Sequence, residues 1–123
     1  DAYNANPASM GMSLDTFVSM YPKEQYYRIA VLGDMKELGN VSERMHKELG
    51  EKVKKLDINE IYYVGDMFDI FGIGKRFANA DEVSSAISED LKRLNGRKIA
   101  ILLKGSNSLG LNKIPEYLKK LGL

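Results

Sequence analysis

Three short apolar runs, Tyr27 to Leu32, Glu60 to Val64 and Lys98 to Leu103, punctuate the chain. Each is rich in β-branched or aromatic side chains and nearly continuous rather than alternating. That is the pattern of strands covered on both faces, as in a parallel sheet held between helices. Between the runs the period lengthens to that of helices. From Asn40 to Leu56, Met45, Leu49, Val53 and Leu56 form one stripe, and Asn40 followed by Glu43 predicts a capping box. From Asp81 to Leu94, Val83, Ile87, Leu91 and Leu94 form a second stripe, closed by Asn95-Gly96. A first helix is predicted from Pro7, with Asn6 as N-cap and Met10, Leu14, Phe17 and Val18 at helical spacing. A last one starts near Lys113, with Pro115 in its first turn and Ile114, Leu118 and Leu121 inward. Met67 to Gly74 is ambiguous because Gly72 and Gly74 weaken any helix there, and Lys75 to Asn79 suits a short edge strand.

Strands alternating with helices predict a single α/β domain over residues 1–123, Rossmann-like, with a mostly parallel sheet and helices on both faces. Leu32, Leu49, Val53, Val64, Ile87, Ile101 and Leu118 are the predicted core. The first helix has no strand before it, whereas in a doubly wound fold something precedes such a loop. The expectation is a fragment of a longer protein, with a strand upstream of Asp1.

Composition narrows the function classes. At 123 residues with a net charge of +1, the chain has no excess of Lys and Arg for a nucleic-acid or membrane surface. Cysteine is absent, which removes disulfides, thiolate nucleophiles and Cys-based zinc sites and suits a reducing, cytoplasmic setting. No apolar run approaches the length of a membrane span.

Each strand run meets a glycine: Gly33-Asp34, Gly65-Asp66 and Lys104-Gly105-Ser106. In open α/β sheets ligands gather outside the carboxyl ends of the strands, so these loops are the default site. The opening Asp1-Ala2-Tyr3-Asn4-Ala5-Asn6-Pro7 empties into a helix N-terminus, a place suited to an anionic or nucleotide ligand, and equally to a well-capped surface loop. Asp1 has the chemistry to accept ribose hydroxyls, and Asn4 and Asn6 to pair with a base edge or a phosphate. Lys104 suits a phosphate or a carboxylate, with amide donors from Gly105-Ser106, and it also suits a surface cation at a strand end. Asp34 and Asp66 equally suit turns. His46, the only histidine, sits on an amphipathic helix and reads as a packing or capping residue. Neither a Gly-x-x-x-x-Gly-Lys-Ser/Thr phosphate loop nor a Gly-x-Gly-x-x-Gly fingerprint is present, so this domain does not hold a triphosphate by itself.

Three segments carry a family resemblance over nearly the whole chain: Asp1-Ala2-Tyr3-Asn4-Ala5-Asn6-Pro7; Leu32-Gly33-Asp34-Met35-Lys36-Glu37-Leu38-Gly39 with Ser42 and His46; and Leu103-Lys104-Gly105-Ser106. In this order they resemble the C-terminal domain of the Mur ligase family, in the branch that adds D-alanyl-D-alanine to the peptidoglycan precursor. The resemblance implies a lid of a three-domain, ATP- and Mg2+-dependent amide ligase. Its partners would be a central ATPase domain and an N-terminal domain for the UDP-linked peptide, with Mg2+ not bound by the lid and the isolated chain inactive. By motif, Asp1, Tyr3, Asn4 and Asn6 become nucleotide-side residues, and Lys104, Gly105, Ser106 and Asn107 become D-Ala-D-Ala-side residues. Gly33, Asp34 and Glu37 fall near the closing interface. Asn107 stands where the family commonly has Arg, which is not a conservative change. The rival readings are a receiver-like signalling domain using Asp34, Asp66 and Lys104, and a sister Mur or folylpolyglutamate-type ligase.

Overall fold

A computed structural model describes residues 5–120 and 122 of the chain. Asn6 caps the first helix, α1 (Pro7–Met20), by accepting the Ser9 N–H at 2.9 Å, while the Ser9 hydroxyl receives the Asn6 N–H at 3.2 Å. This reciprocal box, with Pro7 at the first position, is why the helix starts there. Then follow β1 (Tyr27–Gly33), α2 (Ser42–Lys54), β2 (Glu60–Val64), α3 (Phe68–Phe71), β3 (Lys75–Phe77), α4 (Ala80–Arg93), β4 (Ile99–Lys104) and α5 (Ile114–Lys120).

The four strands form one parallel sheet in the order β3-β2-β1-β4, with Leu32 opposite both Tyr63 and Lys104. On one face Met10 and Leu14 of α1, Leu49 and Val53 of α2 and Phe71 of α3 close over Ala30, Leu32, Ile61 and Tyr63. On the other, Val83 and Ile87 of α4 and Ile114 of α5 close over Ile29, Val31, Tyr62 and Val64. The expected α/β sandwich is thus present, with its parallel sense.

Arg28 explains how α1 and α2 end together. It is buried at the base of β1, and its guanidinium donates to the carbonyls of Val18, Tyr21, Leu56 and Asp57. A fixed cation there satisfies carbonyls at the end of α1 and in the turn that follows α2, and complements both helix dipoles.

Three expectations need correction, and one open stretch is resolved. Asn40 and Glu43 form no capping box: Gly39–Val41 is a 3₁₀ turn, and α2 starts at Ser42 without a side-chain cap. The ambiguous stretch does hold a single helical turn, α3, which ends at Gly72 in the left-handed conformation. Ile101 is only half-buried because β4 is an outer strand, with no neighbour beyond it among the described residues. Met12 and Met20 flank the hollow between α1 and this strand and are 70% and 63% exposed. Leu118 is half-buried because α5 packs chiefly against α4. Leu121 lies outside the described residues.

Candidate functional site

The carboxyl ends of β1, β2 and β4 carry the loops starting at Gly33, Gly65 and Lys104, and the structure joins them through one residue. Asp34 is 3% exposed. Its carboxylate accepts the Tyr63 hydroxyl at 2.7 Å, the Asp66 N–H at 2.8 Å and the Met67 N–H at 3.1 Å. Its own N–H donates to the Val64 carbonyl, and its carbonyl accepts the Ser106 N–H at 3.0 Å. A buried carboxylate with three donors is compensated for its lost hydration. Asp34 is therefore a knot tying three strand ends. The Lys36 ammonium, 3.9 Å away and half-exposed, links it to the surface. Burial first, and then the bond to Asp34, pushes the Tyr63 phenol far above its ordinary range.

The β1 and β4 loops also meet backbone to backbone. A Cβ on Gly105 would lie 3.2 Å from the Gly33 N and Cα atoms and 2.8 Å from a Leu111 methyl, so the loops approach closely and a larger residue would push them apart. Lys104, paired in register with Leu32, projects on the face that α1 and α2 cover. The residue is 2% exposed, and its ammonium, which bonds to no described residue, keeps contact with solvent. The sequence placed this lysine just past the strand. It is the last residue of β4 instead, drawn inside by the strand pairing. Ser106 is half-buried, with its hydroxyl 3.1 Å from that of Ser108, and Asn107 opens a 3₁₀ turn in solvent.

Asp1, Tyr3 and Asn4 lie outside the described residues. Asn6 sits at the same edge, its oxygen engaged in the α1 cap. Ala5 beside it belongs to the buried cluster of Leu32 and Met35. Glu37 is exposed and left-handed at φ +61°, on the rim of a cavity of about 290 Å3 lined by residues of its own loop, Ser42, Asp66 and Met67. Asp66 itself is open to solvent, 3.4 Å from Arg76. A larger hollow over α2 is lined by the stems of Lys47, Glu48, Glu51, Lys52 and Lys55, and another lies between α1 and β4, both away from these loops.

His46 and Tyr63 belong to the frame of the site, which sequence reasoning missed. The packing or capping role expected of His46 is borne out, but its partner is unexpected. Its Nε2 accepts the Met35 N–H at 2.9 Å and holds the loop after Asp34. Among the described residues no group of three or more His, Cys, Asp or Glu is placed to hold a metal ion. No described helix is long and apolar enough to cross a membrane. The receiver reading fails here, since its first acid, Asp34, is buried and already bound to three donors.

Comparison with known proteins agrees with this geometry. The profile of the family described as Mur ligase, glutamate ligase domain, matches residues 1–107. The UDP-N-acetylmuramoyl-tripeptide–D-alanyl-D-alanine ligase of Buchnera aphidicola from Acyrthosiphon pisum is 36% identical over 98% of this chain and 26% of its own length. That of Escherichia coli K12 is 34% identical over 99% of this chain and 26% of its own length. The chain thus spans about a quarter of these relatives, 26% in each case. Among solved structures, MurF of Acinetobacter baumannii superposes at a TM-score of 0.83 with 25% identity, over 98% of this chain and 26% of that one. MurF ligase of Thermotoga maritima in complex with ADP superposes at 0.76 with 25% identity, over 98% of this chain and 27% of that one. Loop order, sheet topology and family profile converge: this chain belongs to the Mur ligase family, as its C-terminal domain.

Proposed function

We propose that this domain is the lid of an ATP-dependent ligase that joins D-Ala-D-Ala to a UDP-linked muramyl peptide in the cytoplasm. The observation that carries this reading is Lys104, whose stem is buried and whose ammonium bonds to no described residue, at the strand edge where three loops are knotted together. The relatives that share nearly the whole chain with it are ligases of that name.

In this reading Lys104 receives the dipeptide carboxylate. A lysine whose stem is packed in the core holds its ammonium in one place, ready for a charge-assisted bond to an incoming carboxylate. Gly105 lets substrate backbone approach closely, and Ser106 adds an amide and a hydroxyl. Asn107 supplies no fixed cation, so the dipeptide carboxylate depends on Lys104 alone among these four. The opening loop, from Asp1 to Asn6, faces the adenosine and ribose, and the loop from Gly33 to Glu37 meets the central domain on closure. Bound ATP would supply the phosphoryl group that activates the peptide carboxylate, with Mg2+ held outside this domain. That division fits the chain, which lacks a phosphate loop and a described acidic cluster. This domain's own residues orient the incoming amine and exclude water.

The test is Lys104→Met in the full-length enzyme. A lost charge-assisted bond corresponds to a roughly ten- to hundred-fold fall in dipeptide kcat/KM, with the ATP KM nearly unchanged. If the ATP KM suffers instead, Lys104 serves the nucleotide.

A further inference from the structure

His46 is completely buried on the inner stripe of α2. Its Nε2 accepts the Met35 N–H at 2.9 Å, and its Nδ1 lies 2.7 Å from the Ser42 carbonyl oxygen. A carbonyl can only accept, so Nδ1 carries the proton. An amide N–H can only donate, so Nε2 is bare. One neutral tautomer thus satisfies two backbone groups, and the backbone fixes the ring from both sides. Packing alone does not call for this, since Leu49 and Val53 fill the same stripe with hydrocarbon. What the imidazole adds is a strut from α2 to the residue after Asp34.

That strut leads into the site. Asp34 and Met35 are consecutive, and the Asp34 carbonyl holds the Ser106 N–H at 3.0 Å while its N–H holds the Val64 carbonyl. The bonds run in series from α2 through residues 34–35 to the ends of β2 and β4. Because Gly33 and Gly105 are in backbone contact, a shift at residue 34 is passed to Lys104-Gly105-Ser106 rather than absorbed. Downstream, Glu37 keeps its left-handed conformation, which a non-glycine residue holds only where its surroundings enforce it. The strut anchors one end of that segment, and Leu38, packed on the core, anchors the other.

We propose that His46 is a positioning residue: by accepting the Met35 amide it keeps residues 34–39 and the Lys104–Ser106 loop in register, and so sets the dipeptide side of the site without touching substrate. The kinetic part rests on the reading that Lys104–Ser106 receives the dipeptide.

The experiment compares His46→Leu with His46→Gln in the full-length enzyme. Leucine keeps the apolar bulk and removes the acceptor, whereas glutamine keeps an acceptor near the reach of Nε2. His46→Leu should raise the dipeptide KM roughly tenfold while leaving the ATP KM within about twofold, and His46→Gln should recover most of the loss. Amide hydrogen exchange at Met35 and Ser106 should quicken in the leucine variant and slow again in the glutamine one. A histidine that merely packs gives the reverse order, with leucine near wild type and glutamine worse. That order, or unchanged Ser106 exchange in His46→Leu, overturns the proposal. If the leucine variant does not fold, His46→Gln decides: near-wild-type dipeptide KM and Met35 protection support the strut, and loss of both refutes it. The exchange readout needs no substrate. Absence of dipeptide ligase activity in the parent would therefore sink the functional reading while Ser106 exchange still judged the strut.

Discussion

The Tyr63 hydroxyl donates to the Asp34 carboxylate at 2.7 Å, and this buried pair joins the middle of the sheet to the floor of the candidate site. The carboxylate also collects the Asp66 and Met67 amides. Removing it by Asp34→Ala strands three donors at once and should cost about 3–5 kcal/mol. Tyr63→Phe removes a single bond to a charged group and should cost about 1.5–3 kcal/mol. Urea unfolding with a double-mutant cycle measures both. Additive losses would show that the two residues do not act as a pair.

Alkaline pH should weaken the fold. Burial, followed by a bond to Asp90 in one case and Asp34 in the other, raises the phenols of Tyr62 and Tyr63 above their ordinary range. Their stabilisation is intact below about pH 10, where an unfolded tyrosine still holds its proton, and falls as pH rises beyond it. Tyrosinate absorbance should show these two of the seven tyrosines ionising only with unfolding. Ionisation of all seven before any loss of circular dichroism would contradict this.

Gly50 sits inside α2, where helix propensity alone favours alanine by about 1 kcal/mol. A Cβ there would overlap the Phe71 carbonyl oxygen of α3. Backbone cannot yield as a side chain does, so Gly50→Ala should destabilise by about 1–3 kcal/mol despite its propensity gain. A raised melting temperature would mean that α3 moves aside freely.

Lys104→Met should leave the fold within about 0.5 kcal/mol of the parent even as it harms the proposed function. Methionine keeps the packed stem, and the ammonium that is removed bonds to no described residue, so little stability is gained or lost. A clear loss of stability would mean that Lys104 holds the fold instead.

Glu37→Gly tests the strained loop in the same way. Glycine adopts φ +61° without a Cβ penalty, so the variant should be more stable by about 1 kcal/mol. A destabilised variant would show that the Glu37 side chain makes a stabilising contact.

The sheet was legible because β1 and β2 are buried on both faces and so read as unbroken apolar runs. β4 reads the same way, yet Ile101 is half-buried, because hydrophobic runs do not say which strand lies outermost. Asn6 was recognisable as a cap since its partner Ser9 is three residues away. Asn40 and Glu43 carry the same spacing, but a 3₁₀ turn takes the first of them out of helical phase. The knot at Asp34 and the strut at His46 were not legible. Their partners are backbone amides and a tyrosine 11 to 33 residues away, brought near only by the register of β1 against β2 and the packing of α2. Lys104 was found as a residue, but its burial depends on β4 running one step further than its apolar stretch.

The bare outer edge of β4 has a practical cost for anyone producing these 123 residues alone. An apolar strand edge that no described residue pairs with, beside the exposed side chains of Met12 and Met20, is a template for strands of other molecules. Preparations of the domain should therefore thicken into oligomers as concentration rises, through cross-molecular strand addition. A lysine introduced at Ile101 or Leu103, both half-buried on that strand, should keep them dispersed.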